Sequence, residues 1–246
     1  MFRVLFLVLL PLLLGACSNQ LHPGFITLPE LTRAGDLQVA AHGTLHEAMV
    51  GGHAQLAYAL SDQWGVLVTA GYGFEHHDLE GRRLNQRGAM EWAVMRMFGK
   101  AADQQNSRYY LQAGYTFSHS SMMNDYSPGL NFIQNQFYVQ GSSRHYFGPD
   151  FSFAAGFRIA ASGVHWVWGS SVYPGQPGYE SARVREFVRE INQQPVFLLL
   201  SPVMQLERQI QNCTLLFTLQ PTQVMNQTYF LPPITPINLG IRWQIN

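Results

Sequence analysis

From about residue 35 onward apolar and polar residues alternate along most of the chain, and the last ten residues show it most cleanly. Ile237, Leu239, Ile241, Trp243 and Ile245 fall on one face of an extended segment, and Asn238, Gly240, Arg242, Gln244 and Asn246 on the other. A period of two belongs to a strand and not to a helix. A wholly apolar face must be covered by a core, a partner or lipid. The opposite face carries Asn, Gly, Arg and Gln instead of the Lys/Glu mixture of a solvated surface. The stretch therefore reads as the closing strand of a barrel.

Nine further strands are predicted, each ended by a turn signal. They are Asp36 to Gly43, Gly52 to Leu60, Trp64 to Phe74, Gly88 to Phe98, Tyr109 to Phe117, Phe132 to Ser142, Phe151 to Ala161, Val196 to Glu207 and Cys213 to Gln220. The third is typical: Trp64, Val66, Val68, Ala70, Tyr72 and Phe74 alternate with Gly65, Leu67, Thr69, Gly71 and Gly73. At a tilt near 40° that apolar row is about 25 Å tall, the height of the lipid-facing band of a membrane barrel, with aromatics at both ends. Arg96 interrupts the apolar face of the fourth strand, close enough to its end to snorkel. The eighth is less regular, because Leu198 to Leu200 is a continuous apolar run.

The predicted connections alternate in length. Ser61–Gln63, Gly99–Asn106, Tyr146–Asp150 and Arg208–Gln211 are short. Glu75–Gln86, Ser118–Leu130, Gly163–Gln194 and Pro221–Pro236 are longer, and only His46–Val50 breaks the trend. Short periplasmic turns and longer extracellular loops are the habit of outer-membrane barrels. With ten strands both termini lie on the periplasmic side. Within the longest loop Val184, Phe187, Val188 and Ile191 have helical spacing, which predicts a short helix over Glu180 to Gln193, packed on the barrel mouth or rim. The predicted fold is thus all-β: an antiparallel up-and-down transmembrane barrel of about ten strands with one loop helix.

Composition agrees with that picture. Charged residues make up 12% of the chain, aromatics 13%, and Lys100 is the single lysine; a soluble domain carries about 25% charged residues. The formal net charge is zero, which leaves no basic footprint for nucleic acid. No phosphate-binding glycine loop and no Cys/His metal spacing occurs, so no cofactor and no metal are expected. Residues 1–16 have the form of a signal peptide, with Arg3 before an apolar run too short to span a bilayer. Leu14-Gly15-Ala16-Cys17 resembles a bacterial lipobox, and that resemblance implies cleavage before Cys17 and acylation of its sulfur. Ser18 after the cysteine implies sorting to the outer membrane. If Cys17 is acylated, Cys213 has no partner for a disulfide. The domain reading is 1–16 signal peptide, 17–34 lipidated N-terminus and linker, and 35–246 barrel, held by outer-membrane lipid through Cys17 and the barrel exterior.

Several segments together resemble a family of uncharacterised outer-membrane β-barrel lipoproteins, mostly from Bacteroidetes. They are the lipobox, Gly35-Asp36-Leu37-Gln38, Gln55-Leu56-Ala57-Tyr58-Ala59-Leu60-Ser61-Asp62, the strand pair around Phe132–Gly141 and Phe151–Ala161, and the final Ile237–Trp243 strand. The Val164–Gln194 insertion is longer than usual for that family. The resemblance implies a fold and a location and brings no activity with it.

Two constellations are candidates for chemistry. His76, His77 and Asp78, predicted just after the third strand, and His119-Ser120-Ser121, predicted just after the fifth, share one rim. Together they would suit a transition metal or a Ser/His hydrolytic site; adjacent histidines on a polar loop are ordinarily just solvated. Outer-membrane barrels with hydrolase sites include omptin proteases and lipid A deacylases, and neither motif occurs here. The second constellation is the lumen charge set, Glu91, Arg158, Glu207 and Arg242, with His42 and His53. A barrel this narrow leaves no wide channel, so these charges are expected to pair with one another. The functional reading is a structural or surface-binding barrel with no catalytic residue assigned. The alternatives are a rim hydrolase and a soluble, lipocalin-like periplasmic barrel.

Overall fold

A computed structural model describes residues 28–46, 49–77, 83–98, 107–124, 127–168, 189, 196–225 and 237–245. Its strands are β1 (Leu37–His46), β2 (Met49–Ala59), β3 (Trp64–His77), β4 (Arg83–Phe98), β5 (Ser107–Asn124), β6 (Ser127–Tyr146), β7 (Phe151–Trp168), β8 (Val196–Ile210), β9 (Cys213–Leu219), β10 (Gln223–Val224) and β11 (Ile237–Ile245). From β1 to β8 each strand pairs antiparallel with the next. The terminal strand closes the wall: Leu37 of β1 lies opposite Ile245, and Cys213 of β9 opposite Trp243. The result is a closed antiparallel barrel of 10 staves.

Eleven strands make ten staves because β9 and β10 are one stave. Both pair with β8 in a single register, which runs from Met204 opposite Leu219 to Leu200 opposite Gln223. That register sets Pro202 against Pro221. Neither proline has an N–H to give the ladder, so regular pairing lapses between them.

The strands at the end away from the termini are longer than their sequence pattern predicts. β3 continues to His77, β4 begins at Arg83, β5 continues to Asn124 and β6 begins at Ser127. Most of the expected loops Glu75–Gln86 and Ser118–Leu130 is therefore wall. Polar residues such as Ser118 and Ser120 read as loop, yet both are buried on the lumen side with the ladder continuing past them. The expected helix over Glu180 to Gln193 falls outside the described residues apart from Arg189, which is helical.

Side chains sort by the pleat. Leu56, Trp64, Tyr72, Trp92, Tyr109, Phe137, Leu239 and Trp243 face outward and are exposed, while Gln38, Gln55, Thr69, Gln112, Gln136, Gln140, Gln205 and Thr218 face the lumen and are buried. This inverts a soluble barrel, whose apolar residues lie inside. Leu198 to Leu200 obeys the same rule: Leu198 points out, and Leu199 points in and joins Phe132, Val164 and Phe197 in an apolar lumen cluster.

The stretch expected as a linker, 17–34, is described from Leu28 onward; residues 28–31 pack inside the wall, while Arg33 and Ala34 are exposed. Leu28, Leu31 and Asp36 are buried. Gly35 takes φ +87, a left-handed conformation that glycine adopts without strain. This turn lets the Asp36 carboxylate accept the Thr32 hydroxyl at 2.6 Å and the amides of Thr32 and Arg33 at 2.7 and 3.0 Å. Burial pushes the Asp36 carboxyl up, but those hydrogen bonds outweigh it and hold the pKa below the ordinary value. Ala34 N–H donates to Asp62 Oδ1 at 2.8 Å, and Gln38 pairs with the backbone of Glu30 through both amide atoms. The Gly-Asp-Leu-Gln and Ser-Asp segments, distant in sequence, are thus two halves of one clasp.

Candidate functional site: the barrel lumen

At mid-height the lumen is crossed by a forked ion pair. Glu91 on β4 and Arg158 on β7 lie on the inward rows of their strands and are fully buried. Arg158 Nη1 and Nη2 donate to Glu91 Oε2 and Oε1 at 2.8 and 3.0 Å, the two-pronged geometry that suits guanidinium to carboxylate. Thr116 and Tyr138 donate their hydroxyls to the same carboxylate at 3.0 and 2.7 Å. Arg158 Nε donates to Gln140 Oε1 at 3.0 Å, and its guanidinium carbon sits 3.6 Å from the Tyr138 ring centroid. Tyr138 reaches in only because β5 carries Gly114 opposite it: a Cβ there would fall 2.5 Å from the tyrosine hydroxyl.

Nearer the termini lies a four-membered cluster of two carboxylates and two guanidiniums. Glu207 accepts from Arg144 at 2.6 Å and from both terminal nitrogens of Arg242 at 3.2 and 3.1 Å. Ser152 and Gln205 fill its remaining acceptor positions at 2.7 and 2.6 Å. The fourth member, Glu30, comes from the N-terminal segment. It pairs with Arg242 and accepts the Tyr146 hydroxyl at 2.7 Å. Burial raises the Glu30 carboxyl, but Arg144 and Arg242 outweigh it and hold it below the ordinary value. Arg144 also donates to the carbonyls of Pro29 and Leu28 at 3.1 and 2.8 Å. One arginine thus fixes both the backbone of the segment and the charge cluster. Neutral overall, with its lone pairs occupied, the cluster meets the conditions under which buried charge is tolerated.

His42 and His53 are cross-strand partners on the lumen side, stacked with ring centroids 4.4 Å apart. Gly240 leaves room for them, since a Cβ there would meet the His42 ring at 2.5 Å.

Glu91, Arg158, Glu207 and Arg242, singled out from sequence, thus lie in two separate clusters. Two essential members escaped that reading. Arg144 lies two residues beyond the predicted end of its strand, on the same face as Gln140, so continuing the alternation finds it. Glu30 lies in an aperiodic stretch, and no local pattern marks it.

The rim histidines are set apart by the register. His76 and His77 belong to β3, opposite Leu84 and Arg83, whereas His119 lies opposite Gly88 four positions lower on β4. Two strand spacings and four residues along the wall separate the backbones by well over 10 Å. The His119 side chain is exposed on the outer face, while Ser120 and Ser121 are buried. Asp78 lies outside the described residues. Among the described residues no group of three His, Cys, Asp or Glu is placed to hold a metal. On the outer wall near the termini, Ser107 Oγ and His145 Nδ1 are 2.7 Å apart. A working nucleophile–base pair has a third group to orient the base; here Phe147 packs edge-on to the imidazole instead.

An apolar, aromatic exterior around a polar, side-chain-filled lumen is the outer-membrane type of β-barrel. Solved structures to which the chain is similar are of that type. The N-terminal β-barrel domain of Pseudomonas aeruginosa OprF is 13% identical, with 87% of this chain and 100% of that one covered and a TM-score of 0.38. The outer membrane protease OmpT of Escherichia coli is 8% identical over 86% of this chain and 94% of that one, at 0.46. The translocator domain of the autotransporter NalP from Neisseria meningitidis is 11% identical over 85% and 86%, also at 0.46. The likeness is one of barrel architecture and extends to no activity. No family model and no curated relative matches the chain, so nothing beyond its own segments ties it to the Bacteroidetes lipoproteins.

Proposed function

We propose that the chain is a lipid-anchored outer-membrane barrel with a structural or surface ligand- or partner-binding role, exercised at its far end and exterior and not through an open pore. The observation that carries this reading is the pairing of an apolar outer wall with a lumen shut by its own groups. Glu91 and Arg158 bridge it at mid-height, and residues 28–31 pack into the end at the termini. A catalyst needs a nucleophile or base held ready for substrate; the carboxylates of the two clusters are committed to arginines instead. The anchor is tested by growing cells with a labelled fatty acid. Label is expected in the wild type and absent from Cys17→Ala; equal labelling of both, or none in either, removes the anchor from the account.

A further inference from the structure

We infer that Arg96, set against Trp64 and Phe98, is a binding site on the outside of the wall for the phosphate of a membrane phospholipid in the leaflet on the termini side. This rests on the membrane-spanning reading above. From Met90 to its end the outward row of β4 is otherwise Met90, Trp92, Val94 and Phe98, all exposed and all suited to lipid. Arg96 belongs to that row and is itself exposed. Its cross-strand neighbours are Trp64 on one side and Leu111 on the other, so its surroundings along the wall are apolar.

Three features point to a phosphate. The first is depth. Arg96 lies two residues from the end of β4, beside the polar Ser61–Gln63 turn, to which Met97 N–H donates at 2.7 Å. Two residues of strand are about 7 Å, which puts the guanidinium within reach of the headgroups when the aromatics mark the interface. The second is posture. The guanidinium carbon lies 5.5 Å from the Trp64 ring centroid and 5.2 Å from that of Phe98. Both rings hold the cation within cation–π range, and its N–H groups can donate in the fork that matches phosphate oxygens. The third is charge: among the described residues no carboxylate pairs with Arg96. A cation at the edge of hydrocarbon is costly without a counterion, and the lipid phosphate is the anion that this depth supplies. Arg208 provides the contrast. It is also exposed on the outer face near the termini, between Phe151 and Leu215, and among the described residues no ring lies over it.

The test is lipid retention by the full-length barrel in detergent. Phosphatidylglycerol, phosphatidylethanolamine or diacylglycerol is titrated in, and bound lipid is read by native mass spectrometry. The wild type is expected to retain one phospholipid that Arg96→Gln retains about tenfold less well, the weight of one charge-assisted contact. Both phospholipids qualify because both carry the phosphodiester; diacylglycerol, which lacks it, is expected to show no Arg96-dependent retention. Arg208→Gln should behave as wild type, and Trp64→Leu should lose part of the retention by loosening the arginine. Equal retention by wild type and Arg96→Gln, or an equal loss in Arg208→Gln, overturns the inference. Flotation with vesicles of the Cys17→Ala barrel, which has no acyl anchor, separates the membrane reading from the site. A Cys17→Ala barrel that fails to float removes the membrane reading and this site with it, whereas one that floats while Arg96→Gln leaves lipid retention unchanged removes the site alone.

Discussion

Glu91→Gln is expected to destabilise the barrel by about 3–5 kcal/mol, because it breaks a buried ion pair from one side. The glutamine amide fits the space and still accepts one hydrogen bond. It cannot neutralise Arg158, which stays buried across the lumen with an uncompensated charge. The pair has no water to fall back on, since both side chains are fully buried. Arg158→Leu should be as costly, because it strands the Glu91 carboxylate between Thr116 and Tyr138. The double variant Glu91→Leu/Arg158→Leu is expected to recover much of the loss, as apolar replacements of buried ion pairs commonly do. Urea unfolding in detergent of the wild type, Glu91→Leu, Arg158→Leu and the double variant, followed by the heat-dependent shift in gel mobility, yields the coupling. Additive single and double effects would show that the pair is not what holds mid-lumen together.

Glu30→Ala is the second large expectation, at about 2–3 kcal/mol. It is smaller because the Glu30 side chain keeps 19% of its exposure and is partly screened by water. Its consequence is nonetheless wider. Without that carboxylate, Arg144 and Arg242 share Glu207 alone, and the N-terminal segment loses its ion pairs to Arg144 and Arg242. The segment is then held mainly by the Asp36 turn and by the bonds from Arg144 to the carbonyls of Pro29 and Leu28. Protease cleavage within residues 28–34 is expected to become faster in Glu30→Ala, and small-ion conductance across planar bilayers to rise above that of the wild type. Unchanged cleavage and conductance would mean that the segment is held by packing of Leu28 and Leu31 rather than by the cluster. Tyr146→Phe, which removes only the hydroxyl donated to Glu30, should move both readouts in the same direction by less.

The wall was largely legible from alternation, because each stave lies between two unlike solvents. Outward positions such as Leu239 and Trp243 and inward ones such as Asn238 and Arg242 are dictated by environment, and a period of two records it directly. The strands that sequence placed too short end in serine-rich or histidine-containing stretches. There a polar residue facing a polar lumen cannot be told from one in a loop. Ser118 and Ser120 are the clearest examples, and they moved His119 from an expected rim loop into the wall. The plug was illegible for another reason. Residues 28–34 have no period of their own, and their burial comes from Arg144 and Tyr146, more than a hundred positions away. What identifies such a segment is the pair of clasps at Asp36 and Asp62, and neither has meaning until β2 and β3 are placed beside β1. The broken ninth stave is intermediate: Pro221 marked the end of a strand, but only the register shows that it faces Pro202 and that the stave resumes beyond it.

With or without an acyl chain on Cys17, the wall itself is expected to hold this protein in the membrane. The most direct test of this is extraction of membranes with alkaline carbonate or urea after replacing Cys17 with alanine. The barrel account predicts that this variant stays in the outer-membrane fraction and resists extraction, because the exposed row that includes Leu56, Trp92, Phe137 and Trp243 stays in contact with lipid. Release of the variant as a folded soluble protein would contradict it and would leave the outer face in need of a protein partner rather than a bilayer.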